Sequence, residues 1–424
     1  MGFNIVYCYE GDKAWDSGSG KVGEEMRRLN VGQYRYPGGT VVTKYHWERP
    51  TGQGWKDTWD PSFDASKNTG PSTFMDIDEY LELVKKHKTD ALVGINMGSG
   101  MKYNRVQDGV DEAIRLMKHC ISKGVKVKYY YLDNEPYQPD ANFTYTPEQY
   151  ADMVNIYVPA MKKIDPGIKI IVNTQPRTDA YIRPLLKKAG KNIDYVDVHM
   201  YWKWRNATFA NWTSEPAMTH QGKGSYEQQR GIWEKVFAEE GFSNIRLVVL
   251  EWNIGPSPVD AAPTHAEAAL MVSEQFTQYI RSGLFMSCFW PLSWPQSDWT
   301  ARGLYPSQKT YEPLEMYRMF SSFSSVLGQS QVADSHTGTR LTTLSVRSND
   351  GKTVWIYLIN KHQETERVIA DLKIEGMTVN QVAAVWGFDR TGRELGRELL
   401  LPGKKGSGFQ INVPKNAFVK LTIR

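Results

Sequence analysis

Two glutamates stand where strand-like runs end. Glu135 closes the run that begins at Val127 and passes through Tyr129, Tyr130 and Tyr131, and Glu251 closes the run that begins at Ile245. Carboxylates fixed on different strand ends of one sheet can deliver an acid and a nucleophile to opposite sides of a glycosidic bond, because the scaffold sets their separation. That chemistry points to a polysaccharide or oligosaccharide as the partner.

The elements that must hold this pair alternate along the chain. Short β-rich apolar runs fall near 3–9, 31–36, 91–97, 127–133, 168–174, 193–201, 245–251 and 284–290. Helical patterns follow near 21–30, 74–88, 109–123, 147–164, 179–189, 226–240, 265–282 and 311–325. Three of them open with a capping box, at Thr146 to Gln149, Ser225 to Gln228 and Thr264 to Glu267, and Gly124, Gly190, Gly241 and Gly283 mark helix ends. Eight strand-then-helix units predict a (β/α)₈ barrel over residues 1–327. From 328 to 424 the pattern becomes short alternating strands between turns, which predicts a smaller C-terminal antiparallel β-sandwich.

Composition narrows the class. The chain of 424 residues is 41% hydrophobic and 12% aromatic, enough for one large core and a smaller second domain. No apolar run approaches the roughly 18 residues of a membrane span. A net charge of +4 without a basic run argues against a nucleic-acid partner. Cys8, Cys120 and Cys288 are odd in number and far apart, and they read as buried thiols. The N-terminus shows no leader peptide, so the expectation is a secreted or periplasmic protein if a leader has been removed, and a cytoplasmic one otherwise.

In such a barrel the chemistry gathers at the C-terminal strand ends. Those ends carry Arg35-Tyr-Pro-Gly-Gly39, Asn96, Asn134-Glu135-Pro136, Asn173, His199-Met-Tyr201, Glu251-Trp-Asn253 and Trp290. Period-two alternation puts Asp197, His199 and Tyr201 on one face and Asp133 with Glu135 on another. Two long loops, Thr40 to Thr73 and Trp202 to Lys223, are expected to wall the cleft; they hold Trp47, Trp55, Trp59, Trp204 and Trp212 beside several cations. Trp294 and Trp299 lie in the loop after the last strand.

These motifs resemble clan A of the retaining glycoside hydrolases. Asn134-Glu135-Pro136 on strand four and Glu251-Trp-Asn on strand seven match the clan's acid/base and nucleophile, and Arg35-Tyr-Pro-Gly-Gly resembles a strand-two motif of α-L-arabinofuranosidases and agarase-like members. Glu-Trp-Asn and the appended sandwich are also similar to the β-xylosidase branch; Leu250 departs from the arabinofuranosidase pattern. The resemblance implies that Glu135 protonates the leaving oxygen and Glu251 attacks the anomeric carbon, with no cofactor and no metal. Arg35, Asn134, His199, Tyr201, Trp290, Asn96, Trp47 and Trp204 are the expected substrate-binding set, Trp290 as a sugar platform. Two other classes stay open. A divalent cation on Asp133, Glu135, His199 and Glu251 would make a metal-dependent barrel enzyme, and loss of turnover would leave a carbohydrate-binding barrel.

Overall fold

The computed structural model describes residues 1–66, 74–293, 302–305, 312–362, 367–373, 382–401 and 408–424. Its parallel strands are β1 (Gly2–Asn4), β2 (Gln33–Tyr36), β3 (Asp90–Ile95), β4 (Tyr129–Leu132), β5 (Lys169–Thr174), β6 (Tyr195–Val198), β7 (Met200–Trp202), β8 (Arg246–Ile254) and β9 (Ser287–Phe289). Neighbours in sequence pair, except that β6 and β7 both pair with β8, and β1 pairs with β9, so the sheet closes. The sixth barrel strand comes in two pieces: β6 and β7 pair with the start and end of β8, and His199 sits at the break between them.

Both faces of the strands are buried. Val42, Leu92, Tyr129, Tyr131, Ile171, Val248, Leu250, Met286 and Cys288 fill the barrel interior, and the outer faces pack on helices such as Pro147–Ile164 and His265–Arg281. The three expected capping boxes form, and a fourth, Asp76 with Glu79, opens the helix Ile77–His87. The thiols of Cys8, Cys120 and Cys288 are free, and burial pushes each up to about 12.

After the helix Glu315–Ser324 the chain becomes antiparallel. In spatial order one sheet holds Ser330–Val332, Leu341–Arg347, Val354–Asn360, Ala417–Ile423, Val382–Asp389 and Glu394–Leu395; a second holds Arg367–Lys373, Gly408–Pro414 and Leu400–Leu401. The first sheet shares a core with the barrel through Leu344, Val346, Tyr357, Ile359, Phe388 and Phe418. Tyr357 stacks on Phe323 of the last barrel helix, with ring centroids 4.3 Å apart.

One buried ion pair crosses this junction. Lys361 Nζ lies 2.7 Å from Glu274 Oε2, and Glu274 also accepts from Trp212 Nε1 at 2.6 Å and from the Met218 amide at 2.8 Å. Removing one charge of a buried pair strands the other, which costs about 3–5 kcal/mol. Lys361→Met is therefore expected to lower stability by that amount in thermal or urea unfolding, and Glu274→Leu added to it should recover part of the loss. A single variant as stable as wild type would show that the pair does not hold the junction.

Candidate active site

Arg35 sits at the centre of the polar cluster in the barrel mouth. Its guanidinium is buried over the Tyr131 ring, 4.5 Å from the centroid, and it donates from Nη1 to Asn4 Oδ1 at 2.9 Å and to Glu251 Oε2 at 3.1 Å. From Nη2 it donates to Asn134 Oδ1. Burial works against the charge, but Tyr131, Glu251 and Asp197 together raise the Arg35 pKa above its ordinary value. Asn4 is held by the Leu250, Cys288 and Phe289 carbonyls, so β1 presents its amide oxygen to the arginine.

The two glycines after Arg35 are a steric requirement. At Gly39, φ is +55° and an added Cβ would meet the Trp290 ring at 2.5 Å; at Gly38, φ is +81° and the Cβ would meet the Ile5 carbonyl at 2.2 Å. Trp290 can thus pack against backbone, and the Gly38 amide donates to Tyr131 at 3.2 Å.

Glu251 lies within β8, which runs on to Ile254 instead of ending at the glutamate. A register shift against β9 falls between Val249 and Trp252, and it bends the ladder around the carboxylate. Tyr201 donates to Glu251 Oε1 at 2.7 Å. Burial, then Glu251, hold the Tyr201 phenol well above its usual range, so it stays a donor.

Glu135 is approached from one side. His199 Nδ1 lies 2.9 Å from its Oε1, and Tyr137 donates to the same oxygen at 3.3 Å. Among the described residues no protein group bonds its Oε2. The same Nδ1 lies 3.7 Å from Glu251 Oε2, so the two carboxylates converge on one nitrogen, and Glu135 Oε1 and Glu251 Oε2 cannot be further apart than those two lengths end to end.

Behind the imidazole, His199 Nε2 meets Asp197 Oδ2 at 3.1 Å, and Asp197 also accepts from Asn173 at 2.8 Å and from the Leu250 amide at 2.7 Å. Burial opposes both charges, yet His199, Arg35 and the Leu250 amide lower Asp197, while Glu251 first and then Asp197 and Glu135 raise His199 to about 10. His199 is therefore an imidazolium at neutral pH, donating from both nitrogens. Since free histidine titrates near about 6.5, this contribution to stability is complete below that pH and is lost as pH rises through about 10. Wild type is expected to lose up to about 1.4 kcal/mol per pH unit across that window relative to His199→Gln. Parallel stability curves for the two proteins would contradict the buried cation.

The structure corrects three expectations. Asp133 does not share a face with Glu135: β4 stops at Leu132, Asp133 takes a φ of +56°, and its carboxylate turns to the Met97 and Gly98 amides and Tyr145. Burial pushes Asp133 up to about 6. Asn96 spends its side chain on the Tyr45 carbonyl and on Ser99, and Trp47 donates to the Glu112 carbonyl and packs on His119, so neither joins the cluster.

Arg35, Asn134, His199 and Tyr201 do come together with the two glutamates. Trp204, half exposed, meets Tyr201 edge-on at 5.0 Å, and Trp290 is fixed by Asn253, which donates to its carbonyl. Trp294 and Trp299 lie outside the described residues, as does the 67–73 end of the first long loop. Among the described residues no group of three or more His, Cys, Asp and Glu side chains is placed to hold a metal ion. Asn4 and Tyr131 complete the cluster without having been anticipated; their only signal was a polar residue inside an apolar run and a tyrosine on the lumen face.

The chain as a whole is similar to known proteins. An intracellular exo-α-(1→5)-L-arabinofuranosidase of Bifidobacterium longum is 26% identical over 190 residues. The chain resembles the α-L-arabinofuranosidases. That alignment covers 42% of this chain and 33% of the enzyme, so the match spans about a third of the relative's length. The arabinofuranosidase likeness extends in fold to an enzyme from Thermotoga petrophila, with a TM-score of 0.69, 17% identity, and coverage of 95% of this chain and 89% of that one. A family 39 glycoside hydrolase from Bacteroides cellulosilyticus aligns with a TM-score of 0.65 at 13% identity over 100% of this chain and 80% of its own. No family model matches the chain.

Proposed function

We propose that the protein is a retaining glycoside hydrolase acting on a plant or algal cell-wall polysaccharide or its oligosaccharides. The observation that carries this is the convergence of Glu135 and Glu251 on His199 Nδ1, at 2.9 and 3.7 Å. That convergence suits the carboxyl separation of about 5–5.5 Å used in double displacement better than the wider gap that must admit a water. The arabinofuranosidase relatives make L-arabinofuranosides the first substrates to try.

Each side chain then has a part. Glu251, oriented by Arg35 and Tyr201, attacks the anomeric carbon, while the leaving oxygen takes a proton from Glu135, whose Oε2 has no bonding partner among the described residues. A glycosyl-enzyme forms. Glu135, its proton gone, then accepts one from water, which displaces Glu251 with configuration kept. Trp204, half exposed beside Tyr201, offers a face for a sugar ring, and Asn134, bonded to Arg35 and Thr40, holds the arginine in place.

The test is sugar release by wild type and Glu251→Ala from arabinan, xylan, β-glucan, agar, porphyran and carrageenan, and from aryl α-L-arabinofuranosides. Release that vanishes in the variant and is indifferent to EDTA supports the proposal. EDTA-sensitive release, or turnover that survives the substitution, would overturn it.

A further inference from the structure

A second concave site opens on the same end of the barrel. It is a cavity of about 410 Å³ walled by the segments that follow β2, β3 and β4, with Lys44, Trp55, Lys56, Lys102 and Asn142 among its lining residues. Lys44 and Lys102 are held by neutral acceptors, and Asp57, Asp60 and Asp64 share the wall with them. Lys44 Nζ donates to the Asp140 carbonyl at 3.3 Å and lies 5.7 Å from the Trp55 ring centroid, while Lys102 Nζ donates to Asn142 Oδ1 at 3.0 Å. Among the described residues, neither lysine, nor Lys56, makes an ion pair.

The acidic residues in the wall are already occupied. Asp57 is buried, with Oδ1 on His46 and the Trp59 amide and Oδ2 on Ser99 and Asn142. Asp60 accepts from Ser62 and Tyr103, and Asp64 from Ser66. The Asp57 network also fixes Asn142, whose amide donates to the Thr43 carbonyl at 2.9 Å and whose oxygen aims Lys102. Asn142 is buried by this, although Asn142-Phe-Thr reads as a glycosylation sequon. Burial holds the Lys44 ammonium below its ordinary value, and the Lys102 charge adds to that despite Asp140 and Asp57. Two like charges facing one hollow beside a half-exposed indole favour an anion carried on a ring.

We propose that this cavity is a subsite for an acidic sugar of the substrate glycan, Lys44 and Lys102 binding its carboxylate or sulfate and Trp55 the ring face. The site rests on the glycosidase reading for its link to the reaction centre. Asn134 donates to Thr40 Oγ1 at 3.3 Å, and Thr40 lies in the same 3₁₀ turn, Gly39–Lys44, that ends at Lys44, about 8 Å of backbone rise further on.

Binding, not turnover, provides the test. Glu251→Gln protein is titrated with a glucuronic-acid-bearing xylo-oligosaccharide, a sulfated galactan oligosaccharide and a neutral xylo-oligosaccharide. At least one acidic probe should bind about tenfold more tightly than the neutral one, and Lys44→Met or Lys102→Met should each remove about that factor for it alone. Which acidic probe responds separates carboxylate from sulfate. Both lysine variants should melt with wild type and hydrolyse a small neutral aryl glycoside at its rate. Equal binding of acidic and neutral probes, or unchanged affinity in the lysine variants, overturns the subsite and leaves the glycosidase reading standing. Binding of none of the three probes also overturns the subsite, while the glycosidase reading stands or falls on the sugar-release test.

Discussion

Replacing Glu251 by alanine is expected to reduce hydrolysis by about 10⁴-fold or more, because the group that would bond the anomeric carbon is gone and water cannot take its geometry. The substitution also strands Arg35, which is buried and pairs with Glu251 at 3.1 Å. Losing one partner of a buried ion pair costs about 3–5 kcal/mol, so thermal unfolding must accompany the kinetics. Glu251→Gln narrows the difference, since it keeps the shape and one acceptor, for Arg35, with its NH2 turned to the Tyr201 hydroxyl oxygen, while abolishing the nucleophile. Azide, small enough to enter the space left by alanine, should restore turnover of an activated aryl glycoside and give a glycosyl azide of inverted configuration. A variant that keeps more than a tenth of wild-type activity would remove Glu251 from the bond-making step.

Glu135→Ala has a different expected signature, because a general acid matters in proportion to the basicity of the leaving group. With natural glycosides, whose leaving alcohols need a proton, the loss should be about 10²–10⁴-fold. With a dinitrophenyl glycoside the first step should proceed and the covalent intermediate should accumulate, since the base for the second step is also missing. The readout is a burst of phenol followed by a slow steady state, and azide should accelerate that second phase with retained configuration. Equal losses for good and poor leaving groups would mean that Glu135 acts by position or charge and not by proton transfer.

Much of this was legible in the chain. The barrel follows from alternating periodicities, and the capping boxes at Thr146, Ser225 and Thr264 set helix starts by local hydrogen bonds that sequence states directly. The convergence of Arg35, Asn134, His199 and Tyr201 on the two glutamates also follows, because strand ends of a closed parallel sheet share one mouth. What escaped depends on register and backbone sign. Asp133 looked like a neighbour of Glu135 under strict alternation, but both residues take positive φ, +56° and +43°, and the alternation stops there. The break at His199 and the register shift beside Glu251 arise from how β7, β8 and β9 pair, which no local pattern encodes. The helix end at Gly190 was legible, but not that its φ of −55° carries the chain on into a 3₁₀ turn, Gly190–Asn192. Asn96 and Trp47 sit at plausible positions for a site, and their side chains are consumed by loop packing.

The most direct measurement of the central claim is the anomeric configuration of the first product. Wild type would be incubated with an aryl α-L-arabinofuranoside, or with whichever glycoside it turns over, and followed by proton NMR before mutarotation. Product that appears first with the configuration of the substrate is the result expected from Glu251 attack, Glu135 proton transfer and a second displacement. Product that appears first with the opposite configuration would show that water attacks directly, and would contradict the double displacement assigned to this pair.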